Sequence, residues 1–381
     1  MKQVVRKTAN YAADLAGINS ALYELGGLIV MHDASGCNST YATHDEPRWY
    51  AIDSLIFISG LEEYDAILGN DDKLIENIIE AAEETKPNFI AIFGSPIALL
   101  MGTDFKGIAY YIEKETGIPC FGFKTSGMAS YVFGASQAFS AIAQRFCSQE
   151  EKTEELSINL LGMTPLDFGY NGNVEALDAW CKENDFSIVS NWSMNTNLEQ
   201  IKQASKAHVN LVLSSTALEA AKELEKKFNI PYVVGVPCGS FLSRELSNCI
   251  KKADLEKKSY GIETQEGKGT VVLIGEPVFM NSLRICLKED FGICDVQIIC
   301  PTEITEGFLS KTDCATHEEC EIEQQIEKAT LVIADPLYQP LVKNQFLALP
   351  HWAYSGRMYR DSMPIVIGET FKKWLKEQLD V

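Results

Sequence analysis

Apolar residues along this chain fall into two alternating kinds of run. Short unbroken stretches such as Leu28-Ile29-Val30-Met31, Phe89-Ile90-Ala91-Ile92-Phe93 and Ile118-Pro119-Cys120-Phe121-Gly122-Phe123 have the length and the branched or aromatic content of buried strands. Between them, Lys73-Leu74-Ile75-Glu76-Asn77-Ile78-Ile79-Glu80-Ala81-Ala82 has helical spacing, and a small-residue helix is predicted from Ala129 to Phe146. Strand, helix, strand predicts a parallel sheet.

The layout repeats. The polar run Gln149-Glu150-Glu151-Lys152-Thr153-Glu154-Glu155 reads as a link. A second unit then opens at Ser157-Ile158-Asn159-Leu160-Leu161-Gly162 and continues through Ser187-Ile188-Val189 and Val209-Asn210-Leu211-Val212-Leu213 to Ile230-Pro231-Tyr232-Val233-Val234-Gly235. A further polar break, Glu263 to Gly269, precedes a third unit that starts at Thr270-Val271-Val272-Leu273-Ile274 and ends in a C-terminal helix. The expected fold is α/β: three Rossmann-like βαβ domains with parallel sheets around a central cleft, over residues 1–155, 156–265 and 266–381. Ligands of open parallel sheets collect beyond the carboxyl ends of strands, so the site is expected in the turns there. Neither G-x-G-x-x-G nor G-x-x-x-x-G-K-[ST] follows a strand, which leaves a dinucleotide cofactor or an intrinsic ATPase unsupported.

Composition narrows the partners. A formal net charge of −20 argues against nucleic-acid and anionic-membrane surfaces, since phosphates attract Lys and Arg. No apolar run approaches the ~20 residues that span a bilayer, and Met1 to Lys7 lacks the apolar core of a secretory signal, so a cytoplasmic location is expected. Eleven cysteines without a regular framework read as free thiols with a few candidate metal ligands.

The turn His32-Asp33-Ala34-Ser35-Gly36-Cys37 resembles the His-Gly-Pro-x-Gly-Cys turn of nitrogenase component 1. Other segments resemble that family in order: Ser59 to Asn70, Phe123-Lys124-Thr125-Ser126-Gly127-Met128, Lys227-Phe228-Asn229-Ile230-Pro231-Tyr232, Gly275-Glu276-Pro277 and Trp352-Ala353-Tyr354-Ser355-Gly356. The resemblance implies an oxidoreductase subunit that accepts electrons from an ATP-dependent iron protein through an iron–sulfur cluster, of the 4Fe-4S kind, shared between subunits. It also implies a homodimer, or a heterodimer with a related component 1 chain, acting on a small-molecule substrate.

Cys37 is the candidate ligand, because a thiolate suits iron and the preceding glycine admits a bulky cluster; a buried small hydrophobe is the other reading of the same residue. The family's other two cysteine positions fall near Asn10-Tyr11 and Ser95-Pro96, where there is no thiol. Two arrangements follow: paired Cys37 thiolates with Asp14, His32 or Ser95 as supplementary ligands, or a different chain that contributes three cysteines. Ser214 and Pro350 stand where the resemblance puts the attachment points of a molybdenum- or vanadium-iron cofactor, so neither that cofactor nor dinitrogen reduction is expected. In the cleft, His351 and Tyr354 are the catalytic candidates, with Trp352 for stacking and Arg357 as an anion partner; a packed aromatic corner with a surface arginine is the other reading of the same segment. Cys238 follows a strand and is either a cleft residue or a core thiol. Cys314-Ala315-Thr316-His317-Glu318-Glu319-Cys320 has metal-like spacing or is a solvated acidic loop, and His44 is read as a surface residue. Two other functions stay open: a scaffold or carrier for cluster or cofactor assembly, and a clusterless small-ligand-binding protein.

Overall fold

The computed structural model describes residues 7–8, 12–34, 45–303 and 307–379. Cys37 and His44 lie outside the described residues. The chain builds three parallel sheets. The first contains β1 (Leu28–His32), β2 (Leu55–Ile58), β3 (Ile90–Gly94) and β4 (Cys120–Gly122) in the order β2-β1-β3-β4. The second contains β5 (Ser157–Met163), β6 (Ser187–Ser193), β7 (Val209–Val212) and β8 (Tyr232–Val234) in the order β6-β5-β7-β8. The third contains β9 (Val271–Ile274), β10 (Val296–Cys300), β11 (Cys314–Ala315), β12 (Leu331–Ala334) and β13 (Gln345–Ala348) in the order β11-β10-β9-β12-β13.

The inner strands explain the unbroken apolar runs. Every residue of β1, β3, β5, β7, β9, β10 and β12 is buried, as helices on both faces of a parallel sheet require. One core cluster runs from the first sheet through the second to the third, with residues such as Phe93, Leu161, Trp192, Leu273 and Phe371 in it. The outer faces of the first and third sheets carry smaller clusters around Ile92 and Val332.

Two helices place the first sheet against the second. Asp14–Leu22 crosses Tyr131–Phe146, which also packs on Leu218–Phe228 behind β7. The crossing is backbone to backbone, because the Cβ of an alanine at Gly134 would stand 1.9 Å from the Asp14 carbonyl oxygen, and one at Gly17 would stand 2.0 Å from that of Tyr131. A fully buried Arg48 ties the same corner together. It bonds Glu46 Oε1 at 2.6 Å, Glu24 Oε1 at 3.1 Å and the carbonyls of Ser193 and Ser20 at 2.9 Å each, and lies 4.5 Å over the Tyr23 ring. No helix among the described residues is long and apolar enough to cross a membrane.

Candidate functional site

Turns at the carboxyl ends of the first sheet meet two distant segments to form an open cleft of about 820 Å³. Asp33 follows β1 and Ser95 follows β3; opposite them run residues 12–19 and the stretch Trp352 to Met358. The opposing segments are stitched to each other, since Ala12 N donates to Ala353 O at 2.6 Å and Tyr131 N to Ala12 O at 2.9 Å. Behind this seam Ala16, Tyr131, Val132, Leu166, Trp352 and Ala353 make a small apolar cluster of their own.

The structure brings Ser95, Trp352, Tyr354 and Arg357 to this cleft and puts other candidates elsewhere. Ser95 is buried and caps the helix Pro96–Met101, its Oγ accepting from Ile97 N at 3.3 Å. Asp14 is consumed by a clamp on the turn after β4: its carboxylate accepts from Ser126 N at 2.7 Å, Gly127 N at 2.9 Å and Leu15 N at 3.0 Å. Burial pushes its carboxyl up from the ordinary value, and those N–H groups pull it back. His32 sits at the end of β1 with Nδ1 2.8 Å from Ser59 Oγ and its ring edge-on to Phe105; burial holds its pKa down. Ser214 caps the turn after β7, its Oγ accepting from Thr216 N at 3.3 Å. Cys238 is fully buried beside Cys286, and burial lifts its thiol pKa well up, so it is a core thiol rather than a cleft residue.

Asp33 and Asp45 bring two carboxylates to the described lining and Arg357 its one cation; Arg357 Nε stands 4.0 Å from Asp45 Oδ1, and Trp352 Nε1 donates to Asp45 O at 2.9 Å. Of the lining, Ile97 and Met358 are exposed apolar side chains. Tyr64, Ile67 and Leu68 on the helix Glu63–Leu68, Leu99 and Leu100 on its neighbour Pro96–Met101, and Met128 are exposed as well, Leu100 by 88%. Surface helices rarely show such a concentration unless something covers it.

His351 is not in the open cleft. It lies behind Tyr354 in a closed junction where turns at the carboxyl ends of the second and third sheets meet. There, His351 Nε2 stands 3.5 Å from Asp167 Oδ1, which also accepts from Tyr131 Oη at 2.5 Å, while Asp167 Oδ2 accepts from Thr164 Oγ1 at 2.8 Å. Asp335 Oδ2 accepts from His351 N at 2.8 Å. Glu276 caps the helix Pro277–Phe291 through Phe279 N at 2.8 Å and reaches across to Ser215 N at 2.9 Å. Burial, with the charge of Asp167 adding to it, pushes the Glu276 carboxyl up to about 7. The void at this junction is about 20 Å³, enough for one water. The space beside His351 therefore has no room for a metal–sulfur cofactor, and the residues at the expected attachment points, Ser214 and Pro350, offer no soft donor.

The acids of this junction were not among the sequence candidates. Asp167, Glu276 and Asp335 follow three different strands, β5, β9 and β12, and only Glu276 had a local signal, its place before Pro277 at the end of an apolar run. The metal-like spacing of Cys314 to Cys320 does not assemble: Cys314 is on β11, Cys320 is exposed at the start of Glu319–Ile326, and Asp313 pairs with Arg284 at 2.9 Å. Among the described residues no group of three His, Cys, Asp or Glu side chains is placed to hold a metal ion.

Comparison with known proteins extends this geometry. The sequence model of a family described as nitrogenase component 1 type oxidoreductase matches residues 26–293. Similar curated proteins include the nitrogenase iron-molybdenum cofactor biosynthesis protein NifE of Clostridium pasteurianum, 27% identical over 46% of this chain and 38% of that one. The nitrogenase molybdenum-iron protein alpha chain of the same organism is 24% identical over 55% of this chain and 40% of that one. A light-independent protochlorophyllide reductase polypeptide of Dinoroseobacter shibae is 30% identical over 44% of this chain and 31% of its own. The matches thus span well under two thirds of these relatives. A solved structure titled nitrogenase Cp1 at pH 6.5 superposes on the whole chain and 93% of its own with a TM-score of 0.71 at 15% identity, which shows the shared fold.

Proposed function

Since the chain belongs to the nitrogenase component 1 type oxidoreductases, we propose that it is an electron-accepting subunit that contributes Cys37 to an iron–sulfur cluster held between two chains. An ATP-dependent iron protein supplies the electrons, and a small organic molecule, not dinitrogen, is reduced. The observation that carries the reading is convergence: Ala12 and Ser95, next to two of the places where the resemblance puts cluster cysteines, and Asp33, in the turn that leads to Cys37, line one cleft, with exposed Ile97 and Met358 in its lining.

The donor set limits the arrangement. The described lining offers carboxylates, hydroxyls, that of Ser95 engaged in capping, and an amide, with no thiol. Cys37 would be the soft donor from this chain, and a four-iron cluster with four protein ligands then needs a second component 1 chain for the rest. When bound, such a cluster supplies one-electron transfer. This chain's part is the rim: Leu68, Leu99, Leu100 and Met128 would press on the partner and keep water from the shared site.

Purification without oxygen, alone and with related component 1 chains, followed by iron and sulfide determination and electron paramagnetic resonance after reduction, tests this. Cys37→Ala is expected to abolish bound iron and the signal, whereas Cys238→Ala keeps both. Wild-type iron content in Cys37→Ala overturns the reading. The likeness to NifE, named for cofactor biosynthesis, favours a second reading as an assembly scaffold. Transfer of bound iron to an acceptor protein in the absence of any substrate would separate that role from the first.

A further inference from the structure

The second sheet ends in a groove of its own, which shares no lining residue with the open cleft. Parallel neighbours β5 and β6 stop together, Met163 paired with Ser193. Just beyond them, residues 169–175 and 194–196, with Glu24 and Ile52 of the first unit, line about 550 Å³ of open space. Ligands of parallel sheets gather at such carboxyl ends and between domains, in voids of about 300–1,000 Å³. The walls are held before anything binds. Glu24 Oε1 pairs with Arg48 at 3.1 Å, while its Oε2 accepts from Thr196 N at 3.0 Å. In the loop after β5, Asn171 Nδ2 donates to Met363 O at 2.9 Å. Asn173 ties the same loop to the third unit, its Nδ2 donating to Asn171 Oδ1 at 2.9 Å and its Oδ1 accepting from Val366 N at 2.8 Å. A groove set in this way loses less ordering entropy when it is filled.

The lining fixes the charge of the occupant. Glu24 and Glu175 bring two carboxylates, and the described lining holds no Lys, Arg or His. The positive end of the helix Asn173–Glu183 also opens here, but it amounts to about half a charge, and Glu175 in its first turn already answers it. Half-exposed Tyr170 adds an aromatic face of the kind that attracts cations, and exposed Asn195 and half-buried Thr196 add hydrogen-bonding side chains. We propose that this groove binds a small organic cation, an amine or guanidine on an apolar body, with Glu175 as its counter-charge and Tyr170 as its stacking face. The site depends neither on Cys37 nor on iron.

The probes are benzylamine, benzyl alcohol and benzoate, which share a ring and a size but are cationic, neutral and anionic. Each is titrated onto the full chain by ligand-observed nuclear magnetic resonance at about 0.15 M salt, where diffuse attraction is screened. Benzylamine is expected to bind about fivefold more tightly than the alcohol, the upper end for an exposed ion pair, and benzoate not to bind. Glu175→Gln should bring benzylamine down to the affinity of the alcohol, and Tyr170→Ser should weaken both about threefold. Glu183→Gln removes another exposed carboxylate, at the far end of the same helix, and should bind as the wild type. That control tells a seated ligand from general attraction to a chain of net charge −20. No benzylamine binding, equal affinities for amine and alcohol, or a preference for benzoate overturns the proposal. So does benzylamine binding left unchanged by either Glu175→Gln or Tyr170→Ser, or weakened as much by Glu183→Gln as by Glu175→Gln.

Discussion

Replacing Arg48 by methionine keeps much of the side chain's length and removes its charge and all its donors. In the native protein its guanidinium serves both oxygens of Glu46, at 2.6 and 3.1 Å, Glu24 at 3.1 Å, and two carbonyls at 2.9 Å. The side chains of Arg48 and Glu46 are fully buried and that of Glu24 is 5% exposed, so water cannot take over when the cation goes. Removing one partner of a buried ion pair costs about 3–5 kcal/mol, because the abandoned charge keeps its desolvation penalty. The lost hydrogen bond to Ser193 O adds about 1 kcal/mol. Ser20 O is spared, since Ser193 Oγ also donates to it at 2.6 Å. The expected loss is therefore about 4–6 kcal/mol in urea denaturation at pH 7, falling mainly on the transition that reports the first sheet. Neutralising the acids as well, in Glu24→Gln/Glu46→Gln/Arg48→Met, should recover more than half of it. A loss below about 1 kcal/mol in the single variant, or no recovery in the triple one, would show that the cluster is solvated or rearranges and would refute the reasoning.

Three further outcomes are expected. The folded protein holds the Glu276 proton up to about pH 7 against an ordinary value of 4.5, so this group's contribution to stability is fully present below 4.5 and is lost as pH rises through 7. The swing is up to about 3 kcal/mol. Glu276→Gln should flatten the urea midpoint between pH 5 and 8, and parallel profiles for the two proteins would contradict that origin. Gly134→Ala must move its new methyl from 1.9 Å to at least 3.0 Å from Asp14 O, parting two helices and costing about 1–3 kcal/mol by denaturation, with the Asp14 clamp loosened; a neutral effect would mean that the crossing is already open. Leu68→Lys/Leu100→Lys, at positions 79% and 88% exposed, should leave thermal stability unchanged and raise the dissociation constant of any complex through this face at least tenfold in sedimentation velocity; unchanged assembly would place the interface elsewhere.

The three sheets were legible because their inner strands are unbroken buried runs, β5 over seven residues being the longest. Reading was uneven beyond them: the edges β4, β6 and β8 were visible as apolar runs, but β2 is only partly buried, β13 has one buried residue and β11 has two residues, so these left no continuous apolar trace, and of the third sheet only β9 was read. For the site, Ser95, Trp352, Tyr354 and Arg357 were placed by family likeness in segments that do converge. Ser95, Ser214 and Asp14 looked like ligands but hold backbone N–H groups, and the Ser-Pro start of a helix was the visible sign of capping for Ser95. Asp167, Glu276 and Asp335 come from separate stretches, and no local spacing announces a meeting that only the packed sheets create.

The seam between Ala12 and Ala353 sets an order of events during synthesis. Helix Asp14–Leu22 is made long before the wall it faces, Trp352 to Met358, which follows the last strand of the third sheet. Until then the helix has Tyr131 and Val132 beside it but lacks that wall, so the cleft is not closed in a half-made protein. The cleft therefore takes shape last, once the chain through Met358 has found its place.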